Sequence, residues 1–317
     1  MAVGDGDEAF EPVTGATLRA DRGEVVGVVG ESGSGKSLTL RAIAGLLPPG
    51  LHVRAGEVEV GGIDLRTASR AEVHRLRGGV VGMIFQEPMT ALNPTMRIGA
   101  QIAEAARAHG KLSAKQAKAR ALELLEQMGF TEPERRYRLY PHELSGGMRQ
   151  RVVIAIALAG EPSLLLCDEP TTALDATVTM RVLDLIVGLA GKLDIGIVLV
   201  THDLGVAARV CDRIVVMYAG RMVEEGPAEA VLRRPRHPYT LALLQAVPTR
   251  ETTIEGLKAL PGAPPTAGEM PPGCPFAPRC GFAEPACASP VVASTVGPGR
   301  ISACRRHEVL ASLMEDR

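Results

Sequence analysis

The sequence predicts an α/β protein with a mixed sheet, a helical subdomain inserted between strands, and a small cysteine-bearing C-terminal extension. Three observations predict it. Short apolar runs at residues 24–29, 80–85, 164–167 and 195–200 have the length and composition of buried parallel strands. Between the second and third of them, residues 97–160 carry helical periodicity instead. After about residue 233 the composition changes: residues 261–275 contain six prolines and three glycines, which is linker chemistry, and four of the six cysteines lie at 274 or beyond.

The first of those strands leads into Gly30-Glu31-Ser32-Gly33-Ser34-Gly35-Lys36-Ser37, which fits the phosphate-cradling pattern G-x-x-x-x-G-K-[ST] at every fixed position. Its glycines let successive backbone N–H groups point at phosphate oxygens, at the positive end of the helix that begins with Leu38-Thr39-Leu40. Lys36 would then reach the β- and γ-phosphates, and the Ser37 hydroxyl would ligate Mg²⁺. That helix ends near Gly45 and the Pro48-Pro49-Gly50 breaker.

The second strand delivers Gln86 to its carboxyl end. Residues 87–96 follow as a loop rich in large apolar side chains, read either as a loop tucked under its own domain or as a docking surface for another protein. Helices come next: Ile98 and Ile102 share one face, and Ser113 can cap a helix carrying Leu122, Leu125 and Met128 before a stop at Gly129. Leu144-Ser145-Gly146-Gly147-Met148 then opens a helix running to about Ala159. The third strand ends in Asp168-Glu169, Asp175 can cap a helix with Val178, Val182, Leu185 and Leu189 on one face, and the fourth strand ends in Thr201-His202. Gln86, Asp168, Glu169 and His202 thus gather at the edge where open α/β sheets bind ligands.

Composition excludes several classes. With 317 residues, 46% hydrophobic and 22% charged, the chain is a folded protein and not a disordered one. A formal net charge of −1 gives no basic footprint for nucleic acid. The apolar run at residues 152–159 falls far short of the roughly 20 residues needed to span a bilayer. The acidic first eight residues lack a secretory signal, which places the chain in the cytosol, where structural disulfides are not expected.

Residues 30–37, Gln86, Leu144 to Met148, Leu164 to Glu169, Ala173-Leu174-Asp175 and His202 together resemble the ATP-binding subunit of ABC transporters over residues 13–235. They match, in order, its Walker A, Q-loop, signature, Walker B, D-loop and switch histidine. The resemblance implies a P-loop NTPase core in a domain of residues 1–235, with a helical subdomain at about 97–160. It implies that Asp168 holds Mg²⁺ with Ser37 and Gln86, that Glu169 acts as general base, and that His202 and Gln86 contact the γ-phosphate and its water. Gly30, Ser32, Gly33, Ser34, Gly35, Lys36 and Ser37 would bind this chain's ATP. Ser145, Gly146 and Gly147 would bind the ATP held by a second subunit, with Asp175 at the interface. The family also places an adenine-stacking aromatic about two dozen positions before the loop, where Phe10 is the nearest candidate.

The tail narrows the resemblance. His237-Pro238-Tyr239-Thr240 and Gly273-Cys274-Pro275-Phe276-Ala277-Pro278-Arg279-Cys280 are similar to the extension of oligopeptide/dipeptide importer ATPases, and Met148 to the first of that group's two paired ATPases. Residues 236–317 are therefore read as this extension. Cys274, Cys280, Cys287 and Cys304 follow C-x5-C-x6-C-x16-C, for which the resemblance implies a [4Fe–4S] cluster, with Zn²⁺ or free thiols as alternatives. Cys167 and Cys211 read as packing residues. The expected partners are a second ATPase subunit in a heterodimer, two transmembrane permease subunits and, indirectly, an extracytoplasmic solute-binding protein. No nucleic acid is expected, and the chain would lie peripherally on the cytoplasmic face of the membrane. Nickel or another small solute is the alternative cargo. A soluble non-transport ABC ATPase, or a redox-sensing module built on the cluster, are the alternative classes.

Overall fold

A computed structural model describes residues 1–3, 11–86, 91–110, 112–172, 174–247, 260–266 and 269–315. Strands are β1 (Ala2–Val3), β2 (Val25–Val29), β3 (Leu51–His52), β4 (Glu59–Val60), β5 (Ile63–Asp64), β6 (Val81–Ile84), β7 (Leu164–Asp168), β8 (Gly196–Thr201), β9 (Arg213–Tyr218), β10 (Arg221–Pro227), β11 (Ser294–Gly297) and β12 (Arg300–Ser302). Eight of them form one sheet in the order β11-β12-β10-β9-β2-β8-β7-β6, and β1-β3 and β4-β5 form two small ribbons. From β9 to β6 all neighbours are parallel, whereas β10, β12 and β11 add antiparallel strands at one edge.

The parallel strands are unbroken apolar runs because both faces of the sheet are covered. Val25 and Val29 of β2, Leu165 and Cys167 of β7, and Ile197 and Leu199 of β8 enter one core. The alternate residues Val26, Val28, Leu166, Val198 and Val200 enter the other. Each strand therefore presents a dry side to two layers at once, and only its carboxyl end is left to meet polar groups.

Helices Ile98–Gly110, Ala114–Gln127, Pro133–Arg136 and Gly146–Ala157 stand between β6 and β7 in the chain. Ser113 caps the second through a reciprocal pair with Gln116: its Oγ accepts the Gln116 N–H, and Gln116 Oε1 accepts the Ser113 N–H. The buried stripe of that helix runs through Ala117, Ala121, Leu124, Leu125 and Met128. Leu122 stays partly exposed, because the two alanines let the neighbouring helix approach and rotate the stripe toward Leu124.

Residues beyond 235 are less isolated than their composition suggests. β12 pairs with β10, Ser302 opposite Glu224, so the extension lengthens the central sheet. Glu224, fully enclosed, accepts from the Arg236 and His237 N–H groups and from Arg300 Nη2 at 2.7, 3.0 and 2.9 Å. These short strands escaped the sequence reading because their partner lies some 75 residues away and supplies pairing rather than periodicity. All six cysteines are free; Cys167 and Cys211 are buried in the core, as their patterns predicted. Among the described residues no helix is long and apolar enough to cross a membrane. Phe10, residues 87–90 and Ala173 lie outside the described residues.

Candidate active site

β2 runs straight into the phosphate loop, and Gly35, at φ 96, turns that loop into the N-terminus of helix Lys36–Ile43. A residue with a Cβ would be strained there, and its Cβ would lie 2.8 Å from a Val13 methyl carbon. Lys36 is buried, with Nζ donating to the carbonyls of Gly30 and Glu31 at 2.8 Å each. Burial pulls its pKa down, while Glu169, Asp168 and Glu31 act in the opposite sense. A buried ammonium ringed by backbone oxygens is a cation held ready for a phosphate.

The Ser37 hydroxyl donates to Asp168 Oδ1 at 2.8 Å, bridging 131 residues of chain. Burial raises the Asp168 pKa, with the Ser37 hydrogen bond opposing and the Glu169 charge adding to the rise. A hydroxyl and a carboxylate at this spacing are a hard-oxygen pair suited to Mg²⁺.

Beyond the end of β7, Glu169 sits at φ 47, a left-handed conformation that costs a non-glycine residue about 1 kcal/mol or more. The turn brings Glu169 Oε2 within hydrogen-bond range of three groups: Gln86 Nε2 at 3.3 Å, Thr172 Oγ1 at 3.2 Å and His202 Nδ1 at 3.1 Å. Gln86 follows β6 and His202 follows β8, so the two strands flanking β7 supply both side chains. The Glu169 carboxylate is largely enclosed, at 17% exposure, while His202 at 68% stands open.

Ser145, Gly146, Gly147 and Asp175 form a separate group. Ser145 Oγ accepts the Met148 N–H to cap helix Gly146–Ala157, and Asp175 Oδ1 accepts the Val178 N–H to cap helix Ala176–Leu193. A Cβ on Gly147 would lie 2.4 Å from Val178 Cγ1, so glycine is what lets the two helices meet. Ser145, Gly146 and Asp175 remain exposed, with their caps made locally and none of these bonds running to this chain's own phosphate loop.

The four tail cysteines form a third group, lining one cavity of about 10 Å³, room for no more than a single water. Among the described residues no three His, Cys, Asp or Glu side chains are placed to hold a metal ion. His237 lines the same cavity, 1% exposed. Its Nδ1 accepts the Tyr239 N–H at 3.1 Å, which puts the ring proton on Nε2, and that buried N–H has no partner. In the sequence His237 reads only as part of the run that marks the extension, since a His-Pro-Tyr run is also an ordinary helix start, and nothing there places it beside the cysteines. Sequence reading missed Thr172 and the contacts of Glu31 described below.

A phosphate loop at the head of a mixed sheet, with a Ser–Asp pair and a carboxylate gathered at the carboxyl edge, defines a P-loop ATPase. Residues 13–172 match the ABC transporter family and residues 223–287 match the oligopeptide/dipeptide transporter C-terminal region. The chain is 50% identical over 275 residues to the oligopeptide transport ATP-binding protein OppD of Bacillus subtilis (strain 168), covering 86% of this chain and 77% of that protein. It is 45% identical over 307 residues to the dipeptide transport ATP-binding protein DppD of Escherichia coli (strain K12), covering 96% and 94%. A solved dimeric ATP-binding cassette in a post-hydrolysis state with ADP and Pi aligns with a TM-score of 0.61 at 31% identity, over 72% of this chain and 95% of that one. The chain belongs to the ATP-binding subunits of ABC transporters, in their oligopeptide/dipeptide branch, and is an ATPase. Such ATPases bind ATP with Mg²⁺.

Proposed function

We propose that this chain drives inward transport of di- or oligopeptides, hydrolysing ATP on the cytoplasmic face of the membrane for two permease subunits, with a solute-binding protein delivering cargo outside. The observation that carries the hydrolytic half is the Glu169 carboxylate, collected by Gln86, Thr172 and His202 beside the Ser37–Asp168 pair. Lys36 and the N–H groups of the 30–37 loop, including Ser32, Gly33 and Ser34, bind the phosphates. Ser37, Asp168 and Gln86 would hold Mg²⁺, which would supply charge neutralisation at the phosphate oxygens. Glu169 takes the proton of the attacking water, and His202 and Gln86 orient that water against the γ-phosphate.

The helix N-terminus at Ser145, Gly146 and Gly147, exposed at Ser145 and Gly146, serves the ATP of a second, similar ATPase in a heterodimer, and Asp175 lies at their interface. Residues 1–235 form the ATPase unit, with residues 97–160 as its helical part, and residues 236–317 the importer-type extension. Residues 88–96 form part of the groove that receives a helix of a permease subunit.

The four tail thiols hold a [4Fe–4S] cluster in this reading. The unpaired His237 N–H supports it, since a buried donor without a partner costs about 1–3 kcal/mol and a cluster sulfur would accept it. Tetrahedral Zn²⁺, the alternative, would draw the sulfurs to within about 4 Å of one another.

Uptake of labelled di- and oligopeptides beside labelled Ni²⁺ tests the transport half, in otherwise identical cells carrying the native chain or Lys36→Ala. Peptide uptake is expected to fall about tenfold or more while Ni²⁺ uptake holds. Unchanged peptide uptake would remove the peptide assignment, and a fall in Ni²⁺ uptake alone would move the cargo to a metal ion. For the extension, anaerobically purified chain should contain about four irons and as many acid-labile sulfides, and Cys287→Ser should lose most of both. Stoichiometric zinc in their place would replace the cluster.

A further inference from the structure

The extension reaches the phosphate loop directly, through both ends of one residue. Arg279 Nη1 and Nη2 donate to Glu31 Oε2 and Oε1 at 2.8 and 3.0 Å, a parallel two-bond pair spanning 248 residues of sequence. The guanidinium is itself held, with Nε donating to the Pro261 carbonyl at 2.7 Å and Nη1 to the Tyr218 hydroxyl at 3.2 Å. Its side chain is 5% exposed and that of Glu31 25%. The Glu31 backbone N–H donates to the Tyr239 hydroxyl at 2.7 Å. Tyr239 is fully buried against Tyr218 and Phe276, with ring centroids 4.5 and 5.3 Å away. Phe276 and Arg279 both lie between Cys274 and Cys280.

A carboxylate inside a phosphate loop is a liability, because it repels the triphosphate and competes with it for Lys36. Lys36 Nζ already bonds the Glu31 backbone carbonyl, and the Glu31 charge acts on Lys36. Two bonds to Arg279 offset the charge of that carboxylate and fix its position.

We infer that Arg279 is a positioning residue for ATP binding, clamping the Glu31 carboxylate so that its charge is offset and does not compete with phosphate for Lys36. This rests on the ATPase reading and goes beyond it by making the cysteine-bearing segment part of the nucleotide site. Removing Arg279 leaves a partly buried carboxylate without its arginine partner in the same loop as Lys36. Removing the carboxylate as well takes the repulsion away.

The test is a double-mutant cycle on the full chain, titrated with fluorescent ATP and Mg²⁺, with steady-state ATPase measured in the assembled importer. Arg279→Ala is expected to weaken ATP binding about tenfold or more and to raise KM with a smaller change in kcat. Arg279→Lys, which keeps the charge but not the fork, should fall between Arg279→Ala and the native chain. Arg279→Ala combined with Glu31→Gln should return to the affinity of Glu31→Gln alone. Iron content and thermal melting are recorded for each variant. Equal loss in Arg279→Ala and the double variant, a loss that tracks iron content instead of the Glu31 charge, or no loss in either would overturn the inference. Failure of the native chain to bind ATP would instead remove the function on which it rests.

Discussion

Glu169→Gln is expected to lower kcat for ATP hydrolysis by about 10²–10³-fold while leaving ATP affinity within about threefold of native. The substitution keeps size and shape, and an amide oxygen can still accept from Thr172 and His202, which sit 3.2 and 3.1 Å from Oε2. What it removes is the acceptor for the proton of the attacking water. Ground-state binding depends on other groups: Lys36 with its loop, and the Ser37–Asp168 pair. The loss should therefore fall on the chemical step, visible as a stalled single turnover with ATP bound. Because φ 47 at this residue is a cost that only the surrounding turn maintains, a small residue there is a poorer probe than glutamine. A kcat within about threefold of native would show that Glu169 is not the base. His202→Ala would then be the variant to measure, since its exposed ring lies 3.1 Å from that carboxylate.

Much of this site is legible before folding, and the reason is covalent adjacency. The phosphate loop, its strand and its helix are consecutive residues, and Gln86, Asp168, Glu169 and His202 each follow directly from an apolar run. Parallel strands covered on both faces announce themselves as such runs, so the carboxyl edge can be assembled from a list of strand ends. What escaped has the opposite character. The Arg279–Glu31 fork joins positions 248 residues apart, and neither partner is unusual in its own neighbourhood. β11 and β12 are four and three residues long, too short to show a period. The choice of Leu124 over Leu122 depended on how closely a neighbouring helix could approach, a matter of tertiary packing. The unpaired His237 N–H is a statement about its surroundings, which no sequence pattern encodes.

The extension's attachment to the sheet yields the largest stability effect. Arg300→Ala is expected to cost about 3–5 kcal/mol, lowering Tm of the full chain by roughly 6–15 °C at pH 8. Arg300 is 9% exposed and Glu224 not at all, so the arginine supplies the charge that offsets a fully buried carboxylate, beside the neutral Thr240 side chain and the backbone N–H groups of Arg236 and His237. Burial outweighs these partners and already holds the Glu224 carboxyl above the usual carboxylate range. Without Arg300 it rises further. A group whose native pKa lies above its unfolded value stabilises fully below the unfolded value, about 4.3, and that contribution is lost as pH climbs through the native value. The Tm difference between the native chain and Arg300→Ala should therefore be smallest near pH 5 and widen toward pH 8, and adding Glu224→Gln should recover most of the loss at pH 8. If the difference were the same at both pH values and unaffected by Glu224→Gln, Arg300 would be contributing packing of its stem along β10 and not charge. If it behaves as a charge, the β10–β12 seam that locks the extension to the ATPase sheet depends on one ion pair, and the fork from Arg279 to the phosphate loop depends on that seam holding.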